Sequence, residues 1–521
     1  MFILVLLIFA FLSSGSNGVS FQSSKDVRLF DILKPSDTHR LFDTLQYTVE
    51  EQYSDSQLAF DVSTYHNYAE KPISIQKLNS KYSDVLYEGD MAITYRQLEK
   101  IVNATVDDDI RYRLRRLSKA PSRPARQAYL DENYPATIWS SGVPFVFHSS
   151  LSPRAKSAIL RAIHFWYRET CIEFRPRTFQ KEYLLFVGND EGCWSTVGKE
   201  KEAEGKQVVS IGEGCEEFGV TSHELAHALG LFHEQSRYDR DNSITFNPRV
   251  VDSNLLYNFA KISPKQLSTY DTPYDVGSVM HYTPTEFSQI KSIPSLTAID
   301  ANLQQTMGQL EGPSFIDVLI MNQHYKCQER CARLADCQNG GFTNSRNCRT
   351  CKCPSGFGGD LCEDVQASFS KSCGGVINAE KTPHRFDITI KQHPSTKRDK
   401  LCAYHIQSPP STKITIKLLS LFSKCIEGCW QDGSEFKMRK DVRPVGYRFC
   451  CPDTSNREIV SDNNLVPFLV FSREHDFSIS FEYSYTDDNL QNDEILITTT
   501  PRTIITSTTD LRDGIHSQIS I

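Results

Sequence analysis

His223, Glu224, His227 and His233 lie together in the run His-Glu-Leu-Ala-His-Ala-Leu-Gly-Leu-Phe-His-Glu over 223–234. On an α-helix, imidazoles spaced as His223 and His227 are project from one face, close enough to hold a single metal ion. Gly230 has no Cβ and can take the left-handed conformation that ends a helix, which lets His233 swing back as a third ligand. Three neutral imidazoles with one position left open form the donor set of a catalytic zinc ion; a structural site would close with a fourth protein ligand. Zinc held this way lowers the pKa of its water to about 7. The expected chemistry is therefore hydrolysis, with a zinc-bound water attacking a scissile carbonyl and Glu224 as the general base that passes the proton to the leaving amine. An amphipathic core helix burying Leu225, Ala226, Ala228, Leu229 and Leu231 is the competing reading. The added Gly and third His weigh against it, as does the Met-containing segment Ser278-Val279-Met280-His281-Tyr282 downstream.

A chain of 521 residues exceeds one compact core, so roughly three or four units must share it. Its sixteen cysteines all fall between Cys171 and Cys451, an even number that fits complete pairing in an oxidising compartment. Residues 1–18 carry an apolar run of about twelve residues and a small-residue exit, the pattern of a secretory signal peptide. No other segment has the length of a transmembrane helix. The formal net charge of −7 is not offset by a long basic block, so nucleic acid is not an expected partner.

Residues 19–126 are polar and free of cysteine, with helical-looking stretches at 27–33 and 95–102, and could form a flexible arm. Within this leader, Leu86-Tyr87-Glu88-Gly89-Asp90-Met91 places a carboxylate after a flexible glycine, where Asp90 could reach a metal ion. Asn103-Ala104-Thr105 is a glycosylation acceptor centred on Asn103. The basic stretch from Arg111 to Arg126 ends in Arg123-Pro124-Ala125-Arg126, read as a processing site for a secretory protease that activates the chain. Residues 127–327 read as one α/β domain, with a helix over 153–170 and strands at 183–187 and 207–211. Its cysteines Cys171, Cys193, Cys215 and Cys327 allow three pairings that spacing cannot separate. Residues 328–363 hold six cysteines in too short a stretch to build a core, so disulfides must hold it. From Cys373 to about Tyr485 the apolar alternation at Ile414, Ile416 and Leu418 and at Phe477, Ile479, Phe481 and Tyr483 predicts an all-β sandwich. The tail over 486–521 is Thr-rich and expected to be disordered.

The zinc signature, the run Glu234 to Asp241 and the Ser278–Tyr282 turn together resemble the astacin family of secreted zinc endopeptidases, over residues 86–327. The resemblance implies an α+β metzincin catalytic domain at 127–327 that binds one zinc ion through His223, His227 and His233, with Glu224 as base. It implies that Tyr282 is a further zinc ligand that moves to stabilise the transition state. Asp90 falls on the family's inhibitory aspartate, which ligates zinc in the proenzyme, and Glu234 on the glutamate that meets the new amino terminus after processing. Family pairing would join Cys171 to Cys327 and Cys193 to Cys215. Residues 328–363 resemble an EGF-like module, implying Cys331–Cys348, Cys337–Cys351 and Cys353–Cys362, and residues 373–485 resemble a CUB domain with Cys373–Cys402. The pairing of Cys425, Cys429, Cys450 and Cys451 stays open, because Cys429 and Cys451 go beyond the usual four. Ser423-Lys424 stands where a calcium-binding glutamate is often found, so calcium is not expected there. Many relatives carry an arginine after Gly-Gln that favours acidic residues beyond the scissile bond; here Leu310 follows Gly308-Gln309, which puts that preference in doubt. The expected substrates are extracellular proteins, among them matrix or cuticle components and latent growth factors. A secreted matrix-binding protein acting through its EGF-like and CUB modules, with little catalysis, is the alternative.

Overall fold

The computed structural model describes residues 35–53, 74–116, 128–130, 133–188, 192–200, 205–393, 395–454 and 456–487. The expected signal peptide, the helix at 27–33, the processing stretch through Arg123 and Arg126 and nearly all of the Thr-rich tail lie outside them.

The body that carries the zinc signature is built on one mixed sheet. Its strands are β1 (Met91–Ala92), β2 (Val143–Phe147), β3 (Phe174–Pro176), β4 (Tyr183–Val187), β5 (Cys193–Thr196) and β6 (Lys206–Ile211), in the order β1-β5-β6-β4-β2-β3. Strands β3, β2, β4 and β6 are parallel and β5 runs antiparallel to β6. The leader supplies β1, which pairs parallel to β5 with Met91 opposite Ser195.

Two helices from this body pack as a pair against the sheet. The one over Pro153–Glu169 starts on Ser152, whose hydroxyl accepts the Ala155 N–H, with Pro153 in the first turn. Its buried face of Ala155, Ala158, Ile159, Ala162, Ile163 and Trp166 follows the helical period. The zinc helix spans Phe218–Leu229 and takes the Trp166 indole N–H on Ser222 O at 3.1 Å. Burying a side chain as large as Trp166 contributes about 1.5–3 kcal/mol, so this pair is well fastened. A third helix, Phe315–His324, begins with a reciprocal capping box between Ser314 and Asp317.

The leader is docked along this body, where the sequence allowed a flexible arm. Its helices over Pro35–Tyr53 and Tyr95–Arg116 bury Phe42, Leu45, Val49, Leu98, Ile101 and Val102. Phe42 stacks on Tyr257 with ring centroids 4.5 Å apart. The apolar residues are sparse in a polar sequence, but they share one face, and that face has a surface to cover.

The six-cysteine segment is held by Cys331–Cys348, Cys337–Cys351 and Cys353–Cys362. It is fastened to the body by Arg346, whose guanidinium lies 3.6 Å from the Tyr167 ring centroid and donates to Tyr167 O, Thr170 O and Ile172 O and to Glu173. Beyond it, a five-stranded and a four-stranded sheet form a sandwich, with Cys373–Cys402 in it. Two further disulfides, Cys425–Cys451 and Cys429–Cys450, tie the loop at 425–429 to the chain at 450–451. Among the described residues no cysteine is free and no helix is long and apolar enough to cross a membrane. The sandwich sits on the body: Gln305 Oε1 accepts the Cys450 and Cys451 N–H groups, and Arg448 pairs with Glu311 at 2.7 Å.

Candidate active site

The zinc helix ends where the sequence places a glycine. Gly230 has φ +112°, its N–H returns to Ala226 O and His227 O, and Leu231 N follows onto Ala226 O. The reversal carries His233 back beneath the helix. The Nε2 atoms of His227 and His233 then lie 3.0 and 3.3 Å from that of His223. Asp90 enters from β1's approach with Oδ2 at 3.2 Å from the Nε2 atoms of both His223 and His233, and Oδ1 at 3.5 Å from that of His227. One ligand atom from each of the four residues lies within 4.8 Å of the others, and all four are buried.

The hydrogen bonds behind the ring decide what these atoms are. His223 Nδ1 lies 2.8 Å from Val279 O and His227 Nδ1 lies 2.7 Å from Leu231 O. Carbonyls only accept, so both Nδ1 atoms carry the proton and both Nε2 atoms present lone pairs. His233 Nδ1 faces the Glu88 carboxylate at 2.8 Å and is a donor in the same way. Lone pairs from three imidazoles and a carboxylate therefore converge in a buried volume. Such an arrangement repels itself unless a cation lies among them, and the N and O donor set suits zinc. The residues present fit the ion.

Glu224 is fully buried on the same helix, and neither carboxylate oxygen has a hydrogen-bond partner. Burial, and then the negative charge of Asp90, push its carboxyl well above the usual range. Tyr282 reaches the site from the Met-containing turn, with its ring 4.9 Å from that of His233. Its hydroxyl donates to Glu88 O at 2.6 Å, so the leader backbone holds it. Burial and then Glu88 raise its phenol well above the ordinary value, which keeps it a proton donor. The turn is fixed from behind by Asp317, which accepts Ser278 Oγ–H at 2.6 Å and Val279 N–H at 3.1 Å. Met280 is buried beneath.

Other predicted positions fall around this centre. Glu234 is buried; Oε1 accepts Asp275 N–H at 2.8 Å and faces Arg237, while Oε2 has no partner. Burial raises its carboxyl to about 8, with Arg237 opposing. Ala128, the first described residue after Arg116, is buried and bridges to Leu231. Leu310 is half-buried, with its backbone against Gly219 at the start of the zinc helix. Asn103 is exposed on the second leader helix. Cys171–Cys327 and Cys193–Cys215 close the body.

Three contributors escaped sequence reasoning. Glu88 stands in the motif that pointed to Asp90, and its adjacency was the available signal. Asp317 had one too, in the Ser314-x-x-Asp317 capping pattern. Asn79 had none: its amide donates to Gly89 O and Cys193 O and its carbonyl accepts Cys193 N–H, stitching the leader to the edge of β5.

Fold and site together define a zinc metalloendopeptidase. Residues 131–326 match the family model of the astacin peptidases. Zinc metalloproteinase nas-29 of Caenorhabditis elegans is 64% identical over 511 residues, covering 96% of this chain and 96% of that protein. Zinc metalloproteinase nas-23 of the same organism is 42% identical over 423 residues, covering 81% and 76%. Among solved structures, the high choriolytic enzyme 1 of medaka (Oryzias latipes), a hatching-enzyme zinc protease, is 32% identical with a TM-score of 0.35, covering 38% of this chain and 98% of that one. The chain belongs to the astacin family of zinc metalloendopeptidases, and its substrates are proteins.

Proposed function

We propose that this zinc endopeptidase is secreted as a latent proenzyme that acts on extracellular proteins once its leader, residues 19–126, is cut at Arg126. The observation that carries the reading is the position of Asp90. A leader carboxylate occupies the one place among three histidines that a substrate or water would need. It is delivered by a strand that pairs with β5, so the leader also covers the sheet edge to which an extended substrate would add.

Zinc held by His223, His227 and His233 supplies a Lewis acid that acidifies water and polarises a carbonyl. With the Asp90 charge gone and a zinc ion at the histidines to favour its ionised form, Glu224, both of whose oxygens are unpartnered, would take a proton and return it to the leaving amine. Departure of the leader frees the Tyr282 hydroxyl from Glu88 O to donate to the developing oxyanion, a contribution of about 3 kcal/mol for one donor. The unpartnered Oε2 of buried Glu234 supports a contact with the new amino terminus. Leu310 offers no cation, so a preference for acidic residues after the scissile bond is not expected. Residues 328–363 and 373–485 serve as EGF-like and CUB modules that select substrates, and Asn103 carries a glycan in the leader.

Glu224→Ala tests the assignment. The processed variant should be folded, zinc-loaded and inactive on gelatin. Appreciable peptide hydrolysis by the purified variant would overturn the role of Glu224.

A further inference from the structure

We infer that Glu88 is a removable outer partner of the metal site: a leader carboxylate that tightens the hold of His233 on zinc and is lost when the leader leaves. The inference rests on the proenzyme reading above.

The asymmetry among the three histidines carries it. His223 and His227 give their Nδ1 protons to Val279 O and Leu231 O, neutral carbonyls of the peptidase body that remain after processing. His233 alone gives its Nδ1 proton to a carboxylate, Glu88 Oε2 at 2.8 Å, and that carboxylate belongs to the leader. A charged acceptor makes the stronger hydrogen bond, fixes Nε2 as the ligand atom and raises its basicity. Partners of this kind commonly change metal affinity 10- to 100-fold.

Glu88 occupies an unfavourable position for any other purpose. It is 1% exposed, its Oε1 has no hydrogen-bond partner, and its backbone has φ +51°, a region that residues with a Cβ rarely take. A solvated turn would need neither the burial nor the charge. The same residue holds Tyr282 through its carbonyl oxygen. The two carboxylates therefore divide the work: Asp90 stands in the coordination space itself, and Glu88 acts on His233 from behind. Processing removes both, leaving His223 and His227 unchanged and His233 without its charged acceptor. The intact chain is thus a zinc-retaining form, and the processed chain holds an ion with less electron density donated to it.

The test follows zinc transfer from the intact, zinc-loaded chain to a chromophoric chelator, for wild type, Glu88→Gln, Asp90→Asn and the double variant. Glu88→Gln keeps the shape and removes the charge. It should lose zinc about 10-fold faster or more while staying latent, because Asp90 is still in place. The double variant should exceed either single change. After processing, wild type and Glu88→Gln are the same chain and must release zinc at one rate, which shows that the body of the variant had folded. Zinc release from latent Glu88→Gln at the wild-type rate would overturn the inference. So would a Glu88→Gln chain as active before processing as Asp90→Asn, since the leader would then have detached as a whole. A wild-type intact chain that holds no zinc, or is as active as the processed one, would remove the proenzyme reading itself.

Discussion

His324 makes the fold around the zinc helix sensitive to acid. It is fully buried, Nδ1 lies 2.9 Å from Tyr270 Oη, and Nε2 has no partner. A Cβ placed on Gly230 would sit 3.0 Å from that Nε2, so the imidazole is wedged against the glycine that ends the zinc helix. Burial pushes its pKa down to about 3, with no counter-charge to oppose it. The unfolded chain takes up a proton at this histidine near pH 6.5, whereas the folded chain refuses it until about pH 3. The stability associated with neutral His324 is therefore complete above pH 6.5 and is lost as pH falls from there toward 3. At pH 5 the loss is about 2 kcal/mol. Other groups also titrate, so the difference between wild type and His324→Gln isolates this one. Gln can still meet the Tyr270 hydroxyl and does not ionise. Urea unfolding of the full-length protein at pH 7.5 and pH 5 should show wild type losing about 2 kcal/mol more than the variant between the two. Equal losses would refute the reasoning, because they would mean that His324 ionises without disturbing the fold.

Arg346→Ala removes a cation–π stack and the four fastenings to Tyr167, Thr170, Ile172 and Glu173. It should loosen the six-cysteine segment by on the order of 3 kcal/mol, seen as faster hydrogen exchange over residues 331–362, and exchange unchanged there would count against this anchor. Among the described residues, Arg448→Ala leaves Lys437 as the remaining ion-pair partner of Glu435 and Arg473 as that of Glu311. Burial works against Glu435, yet Lys437 and Arg448 hold its carboxyl at about 2. The variant should lose about 3 kcal/mol at the junction of sandwich and body and unfold at a lower temperature; an unchanged transition would contradict the role given to Arg448.

The centre of the site was legible because its ligands are local. His223 and His227 share a helix, and Gly230 and His233 follow three and six residues after His227, so period and backbone freedom were sufficient. The strands at 183–187 and 206–211 and the helix at 153–169 were likewise set by local alternation and period. Contacts that depend on packing were not legible. Nothing local ties Glu88 to His233 across a separation of 145 residues, or Val445 N–H to Asp275 Oδ1 across 170. The leader read as a possible arm because its apolar residues are diluted among charges; only the docked helices reveal that Phe42, Leu98 and Ile101 face one surface. The pairing of Cys425 with Cys451 and Cys429 with Cys450 likewise depends on how strands far apart in sequence come together.

In the proenzyme proposed above, the leader closes a competent zinc site through Asp90. Gelatin hydrolysis by the intact, unprocessed chain tests it most directly, comparing wild type with Asp90→Ala at matched zinc content. Wild type should be silent, and Asp90→Ala should cleave without removal of the leader. An intact Asp90→Ala chain as silent as wild type, when both become active on processing, would contradict it.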